Sequence, residues 1–408
     1  MTEATTGRRE RKKAHTRTVI ADAALELFLE RGYDGVTVKD VAEAADLSMS
    51  GLFKHFPTKE SLVFDMDDDI RTGLVGAVRE RPDGTAPLDA LGTWLRERAL
   101  QEPADSRREA FQRLVSSSPA LREYARRMWL SHEEQLAAAL ADAGPDAPDA
   151  AITARALARF VLDRGAAPDR AHEQRTRDAA ITLLADGWPA PELQRASTTT
   201  PAPAADPTPA RPPGLRERKK AETRQAISNA AFDLFTERGY DNVGVREIAE
   251  AAGTSIGTLF SYFPEGKSSL LFTGDRAGHI AALVDAVEHR PPGYTIPRAL
   301  GERIAMRGPF KQHLAPGRRR TVALIDATPE LSEHARRTWA AAEGPLTTVI
   351  SEQTGLPHGD PSVRLLARYI LQAPDLARTS PDPRHALEAI IRLLERGWPA
   401  CLTHARPA

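Results

Sequence analysis

Two nine-residue phrases, RERKKAHTR at residues 9–17 and RERKKAETR at residues 216–224, each pack five cations into a short run. Guanidinium and ammonium groups at that density neutralise phosphate, an attraction that weakens with salt and ignores sequence. Some thirty residues further on, SMSGLFKH at 48–55 and SIGTLFSY at 255–262 supply hydroxyls, a glycine and small side chains. Such groups approach a polar surface closely and form hydrogen bonds with it. The chemistry on offer is recognition of a polyanion. The sequence has no Gly-rich phosphate loop, paired cysteines, His pair at helical metal spacing or nucleophile elbow, so no catalytic residue, metal or cofactor is expected.

These groups must be positioned by helices. Ile20, Ala23, Ala24, Leu27 and Phe28 recur on one helical face, as do Ile227, Ala230, Ala231, Leu234 and Phe235. No alternating strand pattern occurs. From Thr37 the chain reads TVKDVAEAADLSMSGLFKHFPTKESL, and from Gly244 it reads GVREIAEAAGTSIGTLFSYFPEGKSSL. Each is a short apolar-faced helix, a tight turn and a second short helix, the layout of a helix-turn-helix. Thr37 stands at capping-box spacing from Asp40, Ser48 is placed to cap the second helix, and Ser118 and Thr328 precede a proline at a first helical position.

The repetition covers whole units. The basic phrases and the ERGYD pair at Glu30 and Glu237 share an offset of 207, and SPALREYARRMW at 118–129 returns as TPELSEHARRTW at 328–339. GWPA closes both units, at Gly187 and Gly397. The expected organisation is a first unit at 1–190, a Pro/Ala/Thr-rich linker at 191–213 and a second unit at 214–408. The heads are expected at about 9–64 and 216–272 and the helical regulatory regions at about 65–190 and 273–402, all-α throughout, with roughly nine helices per half.

The 408 residues carry 41% hydrophobic and 27% charged residues and a net charge of −1, values ordinary for a folded globular chain. The charge is polarised: basic phrases lead each half, while DMDDD at 65–69 is acidic. No apolar run approaches the roughly 20 residues that span a bilayer. With one cysteine, Cys401, no intrachain disulfide can form, and a cytoplasmic, non-membrane protein is expected.

With these motifs on the page, the chain resembles the TetR family of bacterial transcriptional regulators across about 60 residues of each half. The resemblance implies operator DNA as partner and the following contacts. Arg11, Lys12, Lys13 and Arg17, with Arg218, Lys219, Lys220 and Arg224, would form basic arms lying ahead of the first helix. Thr37, Lys39 and Arg246 would stand at the start of the first motif helix. Ser48, Met49, Ser50, Gly51, Phe53, Lys54 and His55 would present one recognition surface, and Ser255, Ile256, Gly257, Thr258, Phe260, Ser261 and Tyr262 the other. Lys59 and Lys267 would reach phosphate.

There are departures from the family pattern. Phe53 and Phe260 replace its tyrosine, and Asp46 replaces its turn glycine. The extra Gly266 is expected to displace Lys267 relative to Lys59.

The family also implies a small-molecule effector in the helical body, with Trp94, Phe111, Met128, Trp129, Phe310 and Trp339 as candidate walls, and pairing through C-terminal helices. Two units in one chain then predict an intrachain pseudo-dimer, a chain monomeric in solution, and an asymmetric or imperfectly palindromic operator from which the ligand releases a repressor. An enzyme is the poor alternative. The other reading is a structural or interaction protein with one degenerate head and no ligand response.

Overall fold

Among the described residues every element is helical, as the 3.6-residue periodicity requires. The computed structural model describes residues 3–64, 67–101, 106–163, 170–188, 215–272, 276–306, 310 and 316–398. The expected linker and Cys401 lie outside them.

The first half runs α1 (Glu3–Arg31), α2 (Val38–Ala44), α3 (Met49–Phe53), α4 (Asp67–Arg79), α5 (Pro87–Gln101), α6 (Ser106–Ser117), α7 (Pro119–Ser131), α8 (Glu133–Ala143), α9 (Ala150–Leu162) and α10 (Arg170–Asp186). The second half repeats the order as α11 (Leu215–Arg238), α12 (Val245–Ala251), α13 (Ile256–Tyr262), α14 (Arg276–Glu288), α15 (Ile296–Ala305), α16 (Pro316–Ala327), α17 (Pro329–Ala340), α18 (Glu343–Thr354), α19 (Pro361–Arg378) and α20 (Pro383–Arg396). Each half thus contributes ten described α-helices where about nine were expected, because the motif helices are as short as five residues. No described helix is long and apolar enough to cross a membrane.

The basic phrases are not arms ahead of a helix. α1 starts at Glu3 and α11 at Leu215, so both phrases are wound into the first helix. Arg, Lys, Glu and Ala all favour helix, and neither Gly nor Pro interrupts them.

The chain divides into two compact units at 181/182, inside α10 and ahead of the Pro-rich stretch. In the first unit, Glu133 of α8 is buried against Arg155 and Arg159 of α9, with Arg155 Nε 3.0 Å from its carboxylate. In the second unit the same pairing recurs: Arg368 of α19 grips Glu343 of α18 through two bonds of 3.1 and 2.8 Å. Removing one partner of such a pair strands a poorly solvated charge, so the pair fixes how the two helices pack.

The second unit also contains the end of α10. There the Trp188 N–H donates to the Leu394 carbonyl at 2.9 Å, and the Trp398 N–H to the Leu184 carbonyl at 2.8 Å. Each bond maps onto the other by the repeat offset of 210. Gly187 and Gly397 stop their helices, as their sequence position suggests, with φ of 79° and 74°. They also do more: a Cβ on Gly187 would lie 2.5 Å from backbone of Arg396, and one on Gly397 would lie 2.2 Å from the Ala185 carbonyl oxygen. Only glycine lets the two backbones meet.

Gly397→Ala or Gly187→Ala should therefore destabilise the protein by about 2–4 kcal/mol, backbone strain plus overpacking. Gly84→Ala, at φ 80° with nothing within 4 Å, is the control and should cost only about 1 kcal/mol. Urea unfolding of the full chain compares them.

Candidate nucleic-acid interface

Each head is a three-helix cluster whose core comes from α1 or α11. In the first, Ile20, Ala24 and Phe28 pack with Val41 and Ala42 of α2, Leu52 of α3, and Phe56. In the second, Ile227, Ala231 and Phe235 pack with Ile248, Ala249, Leu259 and Phe263.

The first motif helix begins as its sequence predicts. The Asp40 N–H donates to Thr37 Oγ1 at 3.2 Å, and the Thr37 N–H donates to the Asp40 carboxylate at 2.7 Å, completing the capping box. The Thr37 hydroxyl and N–H hold the Asp40 carboxyl below its usual range. At Gly244 half of the box remains, the Gly244 N–H donating to Glu247 at 2.7 Å. That bond and Arg238 hold the Glu247 carboxyl low.

The turn is the same in both heads. Asp46 N–H donates to Glu43 O at 3.2 Å and Leu47 N–H to Ala42 O at 2.9 Å; Gly253 and Thr254 repeat the pair at 3.0 and 2.9 Å. This is the Schellman arrangement, which needs a left-handed residue after the cap. Gly253 supplies it at φ 64°, and Asp46 at φ 52° is the one non-glycine with positive φ among the described residues.

The recognition helices follow. Ser48 Oγ accepts from the Gly51 N–H at 3.1 Å, and Ser255 Oγ from the Thr258 N–H at 3.0 Å. Outward from these caps, Met49, Ser50, Phe53 and Lys54 are exposed in the first head and Ile256, Gly257, Phe260 and Ser261 in the second. Gly51, His55, Thr258 and Tyr262 are half-buried, while Leu52 and Leu259 are fully enclosed. Lys39 is exposed 3.5 Å from Glu43 on its own helix, and Arg246 is exposed at the equivalent position.

Arg17 and Arg224 stand elsewhere than on an arm. The Arg17 guanidinium lies 4.4 Å over the Phe56 ring and donates to the His55 carbonyl at 2.8 Å. Arg224 lies 4.6 Å over Phe263 and donates to the Tyr262 carbonyl at 3.2 Å. Each cation closes the C-terminal end of its recognition helix, where carbonyls lack partners. Lys219 and Lys220 are exposed on α11. The side chains of Arg11, Lys12, Lys13 and Arg218 lie outside the described residues.

Lys59 donates to the Tyr33 carbonyl at 2.6 Å and sits 4.1 Å over that ring. Lys267 donates likewise to Tyr240 and sits 4.0 Å over its ring. The extra Gly266 therefore does not displace the lysine as expected: it takes φ 82° and absorbs the inserted residue. Desolvation lowers the Lys267 pKa from its ordinary value. An ammonium has three donors, so each lysine keeps N–H groups beyond the carbonyl.

Of the proposed pocket residues, Met128 and Phe310 are buried, whereas Trp94, Phe111, Trp129 and Trp339 are half-buried. Phe111 belongs to the seam between head and body, meeting Phe64 edge-on at 6.0 Å while Phe64 stacks on Tyr124 at 5.4 Å. In the second unit the corresponding seam sets Phe272 against His334 at 4.6 Å.

A family model described as bacterial regulatory proteins, tetR family, matches residues 20–66 and 227–272, the two heads just described. Both heads therefore resemble the tetR family. Over 129 residues the chain is 35% identical to the HTH-type transcriptional regulator TcmR of Streptomyces glaucescens, covering 30% of this chain and 57% of that protein. It is 39% identical over 85 residues to the HTH-type transcriptional repressor KstR2 of Rhodococcus jostii, covering 20% and 42% respectively. With the HTH-type transcriptional regulator RutR of Escherichia coli it shares 30% identity over 92 residues, covering 22% and 43%. The chain thus spans about half the length of these curated relatives.

The two heads depend on their arginine clamps. Arg17→Gln and Arg224→Gln should each lower the stability of their own head by about 1–2 kcal/mol, through the lost carbonyl bond and ring contact. Hydrogen exchange of amides in residues 49–56 and 256–263 reads this head by head, and unchanged protection would show the clamps to be incidental.

Proposed function

We propose that the chain is a sequence-specific DNA-binding transcriptional regulator whose two heads read two different half-sites. The observation that carries this reading is the duplicated recognition helix, held from behind by a buried core and presenting an exposed face in each head. The faces differ in chemistry: Lys54 and His55 in one stand where Ser261 and Tyr262 stand in the other, and Ser50-Gly51 corresponds to Gly257-Thr258. A homodimer with identical heads favours a palindrome, whereas unlike heads favour an asymmetric or imperfect one.

The two repeats pair within one chain, and the reciprocal Trp188 and Trp398 hydrogen bonds support this. Division into units 1–190 and 214–408 with a linker between them accords with the two family matches. An effector in the helical body would reach each head through its aromatic seam. Trp94, Met128, Trp129, Phe310 and Trp339 are the wall candidates, and release of a repressor is the expected response. The rival reading, one degenerate head in a structural protein, rests on Asp46. That residue nonetheless keeps both hydrogen bonds of the turn, which speaks for a working first head.

The test is a salt series with the full chain on a duplex enriched from a random pool and on a scrambled one. The enriched duplex should be preferred at every salt concentration. Replacing Arg11, Lys12 and Lys13 with Ala should weaken both alike and flatten the log-log salt slope by about one unit per lost phosphate contact. Arg246→Ala should relax preference at one base pair, by about 1–3 kcal/mol for a bidentate contact. Equal affinity for the two duplexes would overturn the reading. Altered preference with an unchanged slope would make the α1 cations readers of sequence.

A further inference from the structure

Six large hydrophobic side chains are exposed among the described residues: Val19, Met49, Phe53, Ile256, Phe260 and Met306. Four of them stand on the two recognition helices, at positions that correspond through the offset of 207. The other two are not repeated, since Val19 corresponds to Ala226 and Met306 to Glu97. Among the described residues, exposure of a large apolar side chain is preserved between the copies only on this face, even though one of the residues changes from Met to Ile. Met49 with Phe53, and Ile256 with Phe260, are four residues apart, so each pair shares one helical face and spans about 6 Å along the axis. Exposed Lys54 flanks the first pair, and exposed Lys39 and Arg246 lie on the adjoining helices, which suits a polyanionic partner.

Resting on the DNA reading, we propose that these two apolar pairs recognise thymine 5-methyl groups in the major groove. Among base edges in that groove, the thymine methyl is the apolar group; the remaining features are hydrogen-bond donors and acceptors. A 6 Å span covers about two base-pair steps, so each head reads thymine at one or two positions of its half-site. The phenylalanines lack the hydroxyl that a tyrosine would direct to phosphate, and their ring is free to lie against a methyl. The two heads differ in stringency: branched Ile256 is stiff, and Met49 adapts to a misplaced methyl.

Uracil is thymine without that methyl. The enriched duplex is resynthesised with uracil at each thymine in turn, and binding is measured by fluorescence anisotropy for the natural chain and for the Met49→Ala/Phe53→Ala and Ile256→Ala/Phe260→Ala variants. One or two uracils per half-site should weaken the natural chain about 3- to 5-fold each, the worth of one buried methyl. Each variant should lose that penalty in its own half-site and keep it in the other. A chain indifferent to every uracil, or variants that keep the full penalty, would overturn the proposal while leaving DNA binding standing. A pool with no enriched duplex would overturn the DNA reading itself. The four side chains are exposed, and uracil on the natural chain gives the answer without any substitution.

Discussion

A helix of five or seven residues cannot hold itself together in water, because nucleation costs more than one or two turns return. α3 and α13 are of that length, and the rest of each head exists to keep them wound. Leu52 and Leu259 anchor the inner face with no exposed surface. A serine caps one end, an arginine from α1 or α11 closes the other, and a Schellman turn sets the entry angle. The lysine after each recognition helix ties the segment back to the loop behind the first helix. With that work done from behind, the outward side chains carry no structural duty and are available for a partner.

Duplication within one chain separates the two kinds of residue. Positions that hold the head are alike in both copies: Phe28 and Phe235, Leu52 and Leu259, Arg17 and Arg224, Lys59 and Lys267. Most positions that face outward diverge, as Met49 and Ile256, Ser50 and Gly257, and Lys54 and Ser261 do, while Phe53 and Phe260 are the same. The bodies diverge as well. The Trp94 indole covers Gly73 so closely that a Cβ there would lie 2.3 Å away, while at the matching place in the second unit Arg303 donates to the Ala282 carbonyl at 3.3 Å.

Much of this was legible in the chain. The helical period, the offset of 207, the Thr37–Asp40 box and the Ser48 cap all depend on local spacing, which a sequence states directly. The turn at Asp46 was legible for the same reason: a glycine in one copy flags the positive φ that the other copy must tolerate. What stayed hidden depends on where a long side chain folds back. Arg17 and Lys59 read as cations for phosphate, since composition shows the charge and not the ring or carbonyl beneath it. Gly187 and Gly397 read as helix stops, because close approach of a segment about 210 residues away leaves no mark in local sequence. The basic phrases read as arms because their charge outweighed their helix propensity.

One chain is proposed to supply both heads for one DNA site. Analytical ultracentrifugation of the full chain with the enriched duplex tests it most directly, by giving the number of chains per duplex at saturation. One chain per duplex is expected, with footprints over two dissimilar half-sites lost one at a time when each recognition helix is substituted. Two chains per duplex over a palindrome would contradict it.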